Sequence, residues 1–299
     1  MENYPASARA LVAQMISAAA EDSARAIAFQ GAPGANSHIA ISEAFPEAFA
    51  LPCFGFEDAI DAVREGTADR AMIPIENSLH GRVADIHFLL PESGLVIVGE
   101  HFLAVKHCLL GKAGAKISEA MSHPQALGQC RRWLRANGIK PVAYPDTAAA
   151  AAAVAELDQP EVAAIAPALA GQLYGLDLLR EGIADSEDNT TRFVVLGRDA
   201  LTERPEGPVM TSLIFEVKNI PAALYKAMGG FATNGVNMTK LESYQRGASF
   251  AATEFYADIE GHPDDPPVAR ALEELAFQTK WARVLGSYAQ ARPRTLPPA

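Results

Sequence analysis

Between residues 25 and 196, short apolar runs alternate with segments of helical periodicity. That alternation restricts the chain to an α/β fold before any single residue is considered. Runs at 25–30, 70–75, 94–99, 101–110, 162–166 and 191–196 read as strands. The segments from Ser37 onward and at 56–65, 125–136, 147–157 and 167–174 read as helices. Ala59, Ile60 and Val63 share one face of the second of these, and Gly66 and Gly138 supply stops. Alanines fill 148–153 directly after Asp146-Thr147, which reads as a capped, tightly packed helix and not as a low-complexity linker. Elements in this order imply a mainly parallel sheet covered by helices.

The rhythm breaks at 201–208, a polar stretch holding Glu203, Arg204, Pro205, Glu206, Gly207 and Pro208, as linkers do. Beyond it comes a strand at 212–217. A helix then opens at Pro221, with Leu224, Met228 and Phe231 at i, i+4 and i+7 and Gly235 past its end. Strands at 239–244 and 249–259 flank the turn Gln245-Arg246-Gly247-Ala248. A helix at 267–281 and a strand at 283–288 complete a βαββαβ unit, too small to be half of the first domain and read as an appended module.

Charge excludes some functions. The formal net charge is −11, which disfavours sequence-independent binding to nucleic acid or to an anionic membrane. No apolar run approaches the roughly 18 residues of a membrane-spanning helix. Three widely spaced cysteines, Cys53, Cys108 and Cys130, fit a reducing compartment better than a disulfide framework or a zinc ribbon. Residues 11–20 faintly imitate an export signal, but Glu2 and Gln14 spoil the pattern, and an N-terminal helix is expected.

The sequence contains no phosphate-binding loop, zinc-protease helix, nucleophile elbow or dinucleotide fingerprint, and its histidines are scattered. Neither a metal nor a cofactor is called for. What remains is a set of polar clusters at the ends of apolar strands, where α/β sheets bind ligands. They are Gly34-Ala35-Asn36-Ser37-His38, Glu76-Asn77-Ser78, Ser122-His123-Pro124-Gln125 and Asn189-Thr190-Thr191-Arg192-Phe193. Each alone is explained equally well as a turn or a helix cap, with Ser37 and Ser78 as good N-caps.

Together, and in this order, the clusters resemble prephenate dehydratase. Pro74-Ile75-Glu76-Asn77-Ser78, His123-Pro124-Gln125-Ala126-Leu127 and Asn189-Thr190-Thr191-Arg192-Phe193 match that family's segments, and the βαββαβ tail resembles an ACT domain. The resemblance implies an α/β fold: a two-lobed, periplasmic-binding-protein-like catalytic domain followed by a ferredoxin-like ACT domain. It also implies that prephenate is decarboxylated and dehydrated to phenylpyruvate without metal or cofactor, under feedback by L-phenylalanine. Thr191 becomes the catalytic hydroxyl. Ser37, Glu76, Asn77, Ser78, Gln125, Arg192 and Phe193 become substrate-binding residues. Adjacency in a strand turns Thr191 and Arg192 to opposite faces, so Arg192 either forks a carboxylate or holds the fold. A carboxylate beside a dianionic substrate would repel it, so Glu76 orients donors or bonds Arg192.

The expected organisation is an N-terminal helix over 1–25 and a catalytic domain over 26–200. Its first lobe takes 26–100 and 185–200, and its second takes 101–184. A linker at 201–208, an ACT domain at 209–290 and a tail at 291–299 follow. The resemblance places allosteric phenylalanine at Pro221, Ala222, Ala223 and Leu224 and at Leu241, Glu242 and Ser243. Two departures bear on this. Ala35-Asn36 replaces the family's Thr-Tyr pair, and Ala222 and Tyr244 replace a glycine and an arginine of the phenylalanine-binding segments. A chorismate mutase, fused in some relatives, does not fit ahead of Ala26, so a monofunctional, cytoplasmic enzyme is expected, paired through ACT domains as a homodimer or homotetramer. Arogenate as substrate, or a non-catalytic amino-acid-binding protein on the same scaffold, are the competing readings.

Overall fold

The computed structural model describes residues 2–245 and 252–294. The turn expected at Arg246-Gly247-Ala248, the start of the strand expected from Ser249, and the end of the tail lie outside the described residues. The chain divides into two compact units. One is Met1–Ser93 with His101–Leu196, and the other is Gly94–Glu100 with Gly197–Ala299.

The elements of the first unit run α1 (Ala6–Glu21), β1 (Ala26–Gln30), α2 (Asn36–Ala44), β2 (Phe49–Cys53), α3 (Phe56–Arg64), β3 (Arg70–Asn77), β4 (Gly81–Arg82) and α4 (Ala84–Glu92). After β5 (Val96–Ala104) come β6 (Cys108–Gly111), β7 (Glu119–Ser122), α5 (Pro124–Gln129), α6 (Arg131–Ala136), β8 (Lys140–Ala143), α7 (Thr147–Glu156), β9 (Val162–Ala166), α8 (Ala168–Tyr174), β10 (Asp177–Arg180) and β11 (Thr190–Gly197). They build two sheets, ordered β2-β1-β3-β11-β5 and β10-β6-β9-β7-β8, with β4 added to β3. The chain leaves the first sheet after β5 and returns to it at β11, so the unit is two-lobed, with the architecture of periplasmic binding proteins. In the first sheet β1 pairs parallel with both β2 and β3. The expected mainly parallel character does not hold in the second sheet. There β7 is parallel to β8 and β9, but β6 runs antiparallel to both β9 and β10. Strand direction is decided by how each connection returns, which an apolar run does not record.

Two local details position the cleft. Asp146 caps α7, its carboxylate accepting the Ala149 amide at 2.6 Å. The alanines of α7 carry no bulk, so Ala148, Ala149, Ala151 and Ala152 pack into one core with Ala8 and Val12 of α1 and with Ala32 and Ala35 of the turn after β1. Gly34 closes that turn at φ +91°, and a Cβ there would stand 2.8 Å from the Ala170 Cα. Only glycine fits both the backbone and the approach of α8.

The second unit holds β12 (Val209–Val217), α9 (Ala223–Thr233), β13 (Met238–Gln245), β14 (Ala252–Glu260), α10 (Pro266–Gln278) and β15 (Thr279–Ala289). Its antiparallel sheet is ordered β13-β14-β12-β15, the ferredoxin-like arrangement. Leu213, Phe215, Phe255, Ala257 and Ile259 form one sheet face under Ala227 and Phe231 of α9 and Val268, Ala271 and Leu275 of α10. Trp281, expected at the end of the second helix, stands in β15 instead, where its indole donates to Glu216 at 2.8 Å. β-Strand propensity at Thr279 and Trp281 outweighs continuation of the helical period.

Ala222, ahead of α9, has φ 63° and ψ 15°, and among the described residues no other non-glycine residue has positive φ. An L-residue pays about 1–2 kcal/mol there, partly offset in glycine by its freer unfolded chain. Ala222→Gly is therefore expected to stabilise the protein by about 0.5–1 kcal/mol, read as a rise of a few degrees in the melting temperature. An unchanged or lowered melting temperature would show that the left-handed turn is not strained.

Candidate active site

A cleft of about 560 Å³ opens between the two lobes of the first unit. The first lobe lines it with Gln30, Asn36, Ser37, Phe56, Asn77, Arg82, Thr191 and Phe193, and the second with His123, Gln125, Gln129, Asp146 and Thr147. Val105 and His107, on the segment joining the lobes, complete the wall. Of the residues singled out in the sequence, Ser37, Asn77, Gln125, Thr191 and Phe193 line this cleft. Glu76, Ser78 and Arg192 are not among the residues that line it.

Ser37 is not the N-cap that its sequence position suggested. Ala35 occupies that position and makes no side-chain cap, so Ser37 lies inside the first turn of α2, buried, at the cleft wall. The uncapped helix start leaves backbone N–H groups on the same side. His38 steadies the turn: its Nδ1 accepts the Gly34 amide at 3.0 Å and its ring stacks on Phe29 at 5.5 Å. Burial lowers the His38 pKa, which suits the neutral, accepting imidazole.

Asn77 is the pivot of the site. Its Oδ1 accepts the amides of Leu79 at 3.0 Å and His80 at 3.2 Å, which fixes the orientation of the side-chain amide. The Nδ2 group is thereby turned to Asn189 Oδ1 at 2.7 Å and to Thr191 Oγ1 at 3.0 Å. Thr191 accepts in that contact, so its own hydroxyl proton is left to donate elsewhere. Asn189 Nδ2 donates in turn to Gln129 Oε1 at 3.0 Å. Gln129 Oε1 also meets His107 Nε2, and Gln129 Nε2 donates to His80 Nδ1 at 2.9 Å. The network joins four chain segments, and Gln129, His107 and His80 are members that residue-type reasoning did not single out.

Ser78 does not cap a helix. Its hydroxyl accepts the Thr190 amide at 2.9 Å and donates to the Asp188 carbonyl at 2.7 Å, tying the end of β3 to the returning chain. Arg192, alternating with Thr191 across β11, is buried and bonds Glu76 at 2.9 Å. Asp146 accepts the Ala149 amide of the helix it caps, and the nearby backbone amides of Ala32 and Ala148 also favour its charged form. Burial dominates and pushes its pKa up. His123 caps α5 through Nδ1, and desolvation lowers its pKa, as it does that of His107. The imidazoles of His107 and His123 are neutral at neutral pH.

Among the described residues the cleft wall thus carries the hydroxyl residues Ser37, Thr147 and Thr191, several neutral donors and little charge. Among the described residues no group of histidine, cysteine and carboxylate side chains is placed to hold a metal ion, and no helix is long and apolar enough to cross a membrane. The proposed phenylalanine segments fall in the second unit. Pro221 to Leu224 lie at the entry to α9, and Leu241, Glu242 and Ser243 on the edge strand β13.

A family model for prephenate dehydratase matches residues 27–201. The chain is 52% identical over 268 residues to a bifunctional N-acyl-homoserine lactone acylase/prephenate dehydratase of Komagataeibacter europaeus, covering 88% of this chain and 95% of that one. It is 38% identical over 285 residues to the chloroplastic arogenate dehydratase/prephenate dehydratase 1 of Arabidopsis thaliana, covering 90% and 73%. The structure superposes with a TM-score of 0.81 on the prephenate dehydratase of Arthrobacter aurescens solved in complex with L-Phe, at 31% identity over 89% of this chain and 90% of that one.

Proposed function

The chain belongs to the prephenate dehydratase family, and on that premise we propose that its cleft converts prephenate to phenylpyruvate. One proton is taken up, and carbon dioxide and water are released. The bond from the ring to its carboxylate breaks, its electron pair enters the ring, and the hydroxyl across the ring departs and gains the proton. Aromatisation supplies the driving force. No covalent intermediate is needed, so the protein's part is to bind two carboxylates, stabilise the departing oxygen and keep out bulk water.

The observation that carries this reading is the contact from Asn77 Nδ2 to Thr191 Oγ1. It turns the hydroxyl proton of Thr191 outward, as a donor to the leaving oxygen. Ser37, with the uncapped start of α2, and Gln125 supply neutral donors to substrate oxygens. Phe193 is apolar wall. Glu76, Ser78 and Arg192 hold β3 and β11 in place behind Thr191.

In this reading the catalytic domain spans 26–200, a linker 201–208, and an ACT domain 209–290 that binds L-phenylalanine and pairs copies into a dimer or tetramer in the cytoplasm. The ferredoxin-like sheet supports the ACT assignment, and the L-Phe complex of the Arthrobacter relative supports the ligand. Arogenate carries an ammonium where prephenate has a ketone, and no residue of the cleft decides between them.

A second reading adds N-acyl-homoserine lactone hydrolysis, the other activity in the name of the Komagataeibacter relative. An aromatic groove beside the cleft favours it. Phe54 and Phe88, 53% and 46% exposed, line it with Leu89, and it shares Phe56 and Gln30 with the cleft. It is suited to an acyl chain.

Steady-state assays with prephenate and arogenate, each with and without L-phenylalanine, test the main reading, and an acyl-homoserine lactone arm tests the second. The expected result is phenylpyruvate from prephenate, suppressed by L-phenylalanine. Turnover of neither ring substrate would favour the amino-acid-binding reading.

A further inference from the structure

The network that steadies Thr191 ends on a buried histidine. His107 lies on the segment that joins the lobes, and its carbonyl accepts the Ile183 amide of the returning chain at 3.3 Å. The residue is 3% exposed. Its Nε2 meets Gln129 Oε1. Its Nδ1 is buried and, among the described residues, has no hydrogen-bond partner.

The direction of every bond in the network follows from its other end. Asn77 Oδ1 is held by the amides of Leu79 and His80, which can only donate. Asn77 Nδ2 therefore faces Asn189 Oδ1 and Thr191 Oγ1. Asn189 Nδ2 therefore faces Gln129 Oε1, and Gln129 Nε2 is turned to His80 Nδ1. A carbonyl oxygen only accepts, so His107 has to present N–H at Nε2, and Nδ1 is left as a bare lone pair. The other tautomer would set Nε2 and Oε1 against each other as two acceptors. It would also bury an N–H at Nδ1 with nothing to receive it. Burial keeps the imidazole neutral as well, by holding its pKa below the usual histidine value.

We propose that His107, as its neutral Nε2–H tautomer, is a positioning residue for the dehydration: through Gln129, Asn189 and Asn77 it keeps Thr191 aimed at the leaving oxygen. This rests on the dehydratase reading. Gln129 Oε1 is gripped from two sides, by Asn189 and by His107. Without the second grip the Gln129 amide swings more freely, Asn189 loses its fixed partner, and the plane of the Asn77 amide relaxes about its two backbone contacts. What is lost is aim, not a group that touches substrate. The loss therefore falls on kcat, where Thr191 acts, and spares KM.

The test measures prephenate kinetics of His107→Leu, His107→Gln, Thr191→Ala and His107→Leu/Thr191→Ala beside the parent. His107→Leu is expected to lower kcat about 5- to 20-fold, the range for a lost buried hydrogen bond, with KM within about threefold of the parent. Glutamine can place an amide N–H near the position of Nε2, and His107→Gln should return kcat to within about threefold of the parent. The double variant separates aim from packing. With the Thr191 hydroxyl gone there is nothing left to aim, so adding His107→Leu to Thr191→Ala should cost less than about twofold more. An equal loss in both backgrounds overturns the proposal. So does a leucine variant with the parent's kcat, or a glutamine variant no better than leucine. Nitrogen-15 spectra of the parent's histidines at neutral pH need no variant to fold. They should show His107 protonated at Nε2 and bare at Nδ1, and a proton on Nδ1 overturns the proposal whatever the kinetics give. If the parent does not turn over prephenate, the dehydratase reading falls and takes this inference with it, a result distinct from all of these.

Discussion

Thr191→Ala is expected to lower kcat for prephenate by about a hundred- to ten-thousand-fold, the range for loss of a positioned proton or hydrogen-bond donor, with KM changed by only a few-fold. The hydroxyl is weakly acidic and contributes little while the substrate's own hydroxyl is neutral. Its contribution appears as that oxygen gathers negative charge on leaving, so the loss falls on kcat. The Asn77 contact to Oγ1, with Asn77 itself held by two backbone amides, spares Thr191 any reorganisation at the moment of reaction. Thr191→Ser keeps the hydroxyl and the Asn77 contact, and should return kcat to within about tenfold of the parent, the remainder reflecting a freer χ1. Initial rates of phenylpyruvate formation at saturating prephenate decide it. An alanine variant within about threefold of the parent would remove Thr191 from the chemistry.

How far the sequence discloses this arrangement depends on the range over which each feature is decided. The strand at Val162–Ala166 and the capped alanine helix at Thr147–Glu156 are local, and both stand where the pattern of apolar residues and Asp146 place them. The helix read over 125–136 is instead two, because Cys130 leaves helical geometry at φ −110°, ψ 12°. Strands β7, β8 and β10 have four residues each, too short for alternation to register, and α4 carries Pro91 inside it, which argues against a helix on local grounds. The same division holds in the site. Ser37, Asn77, Gln125, Thr191 and Phe193 sit in motif segments and line the cleft. Gln129, His107 and His80 do so, or support it, through pairings between distant segments.

The ion pair of Arg192 and Glu76 should matter to the stability of this unit. The side chain of Arg192 is 3% exposed and that of Glu76 is 29% exposed, with Nη1 and Oε1 2.9 Å apart. Glu76→Gln keeps the shape but strips the carboxylate charge from a buried guanidinium, which still has to be desolvated. The cost expected is about 3 kcal/mol, or roughly 6–12 °C in the unfolding of this unit. Arg192→Met leaves Glu76 without that arginine, but in a position water reaches, and the methionine fills part of the vacated volume, so about 1–2 kcal/mol is expected. The doubly substituted protein separates charge pairing from packing. Once the buried cation is gone, Glu76→Gln no longer deprives a buried charge of its counter-ion. Glu76→Gln/Arg192→Met is therefore expected to be more stable than Glu76→Gln alone, with a coupling of about 2 kcal/mol. Calorimetric unfolding of the parent and three variants measures it. Additive losses would mean that the two groups are each held by other neighbours, and that the register of Thr191 on β11 does not depend on their pairing.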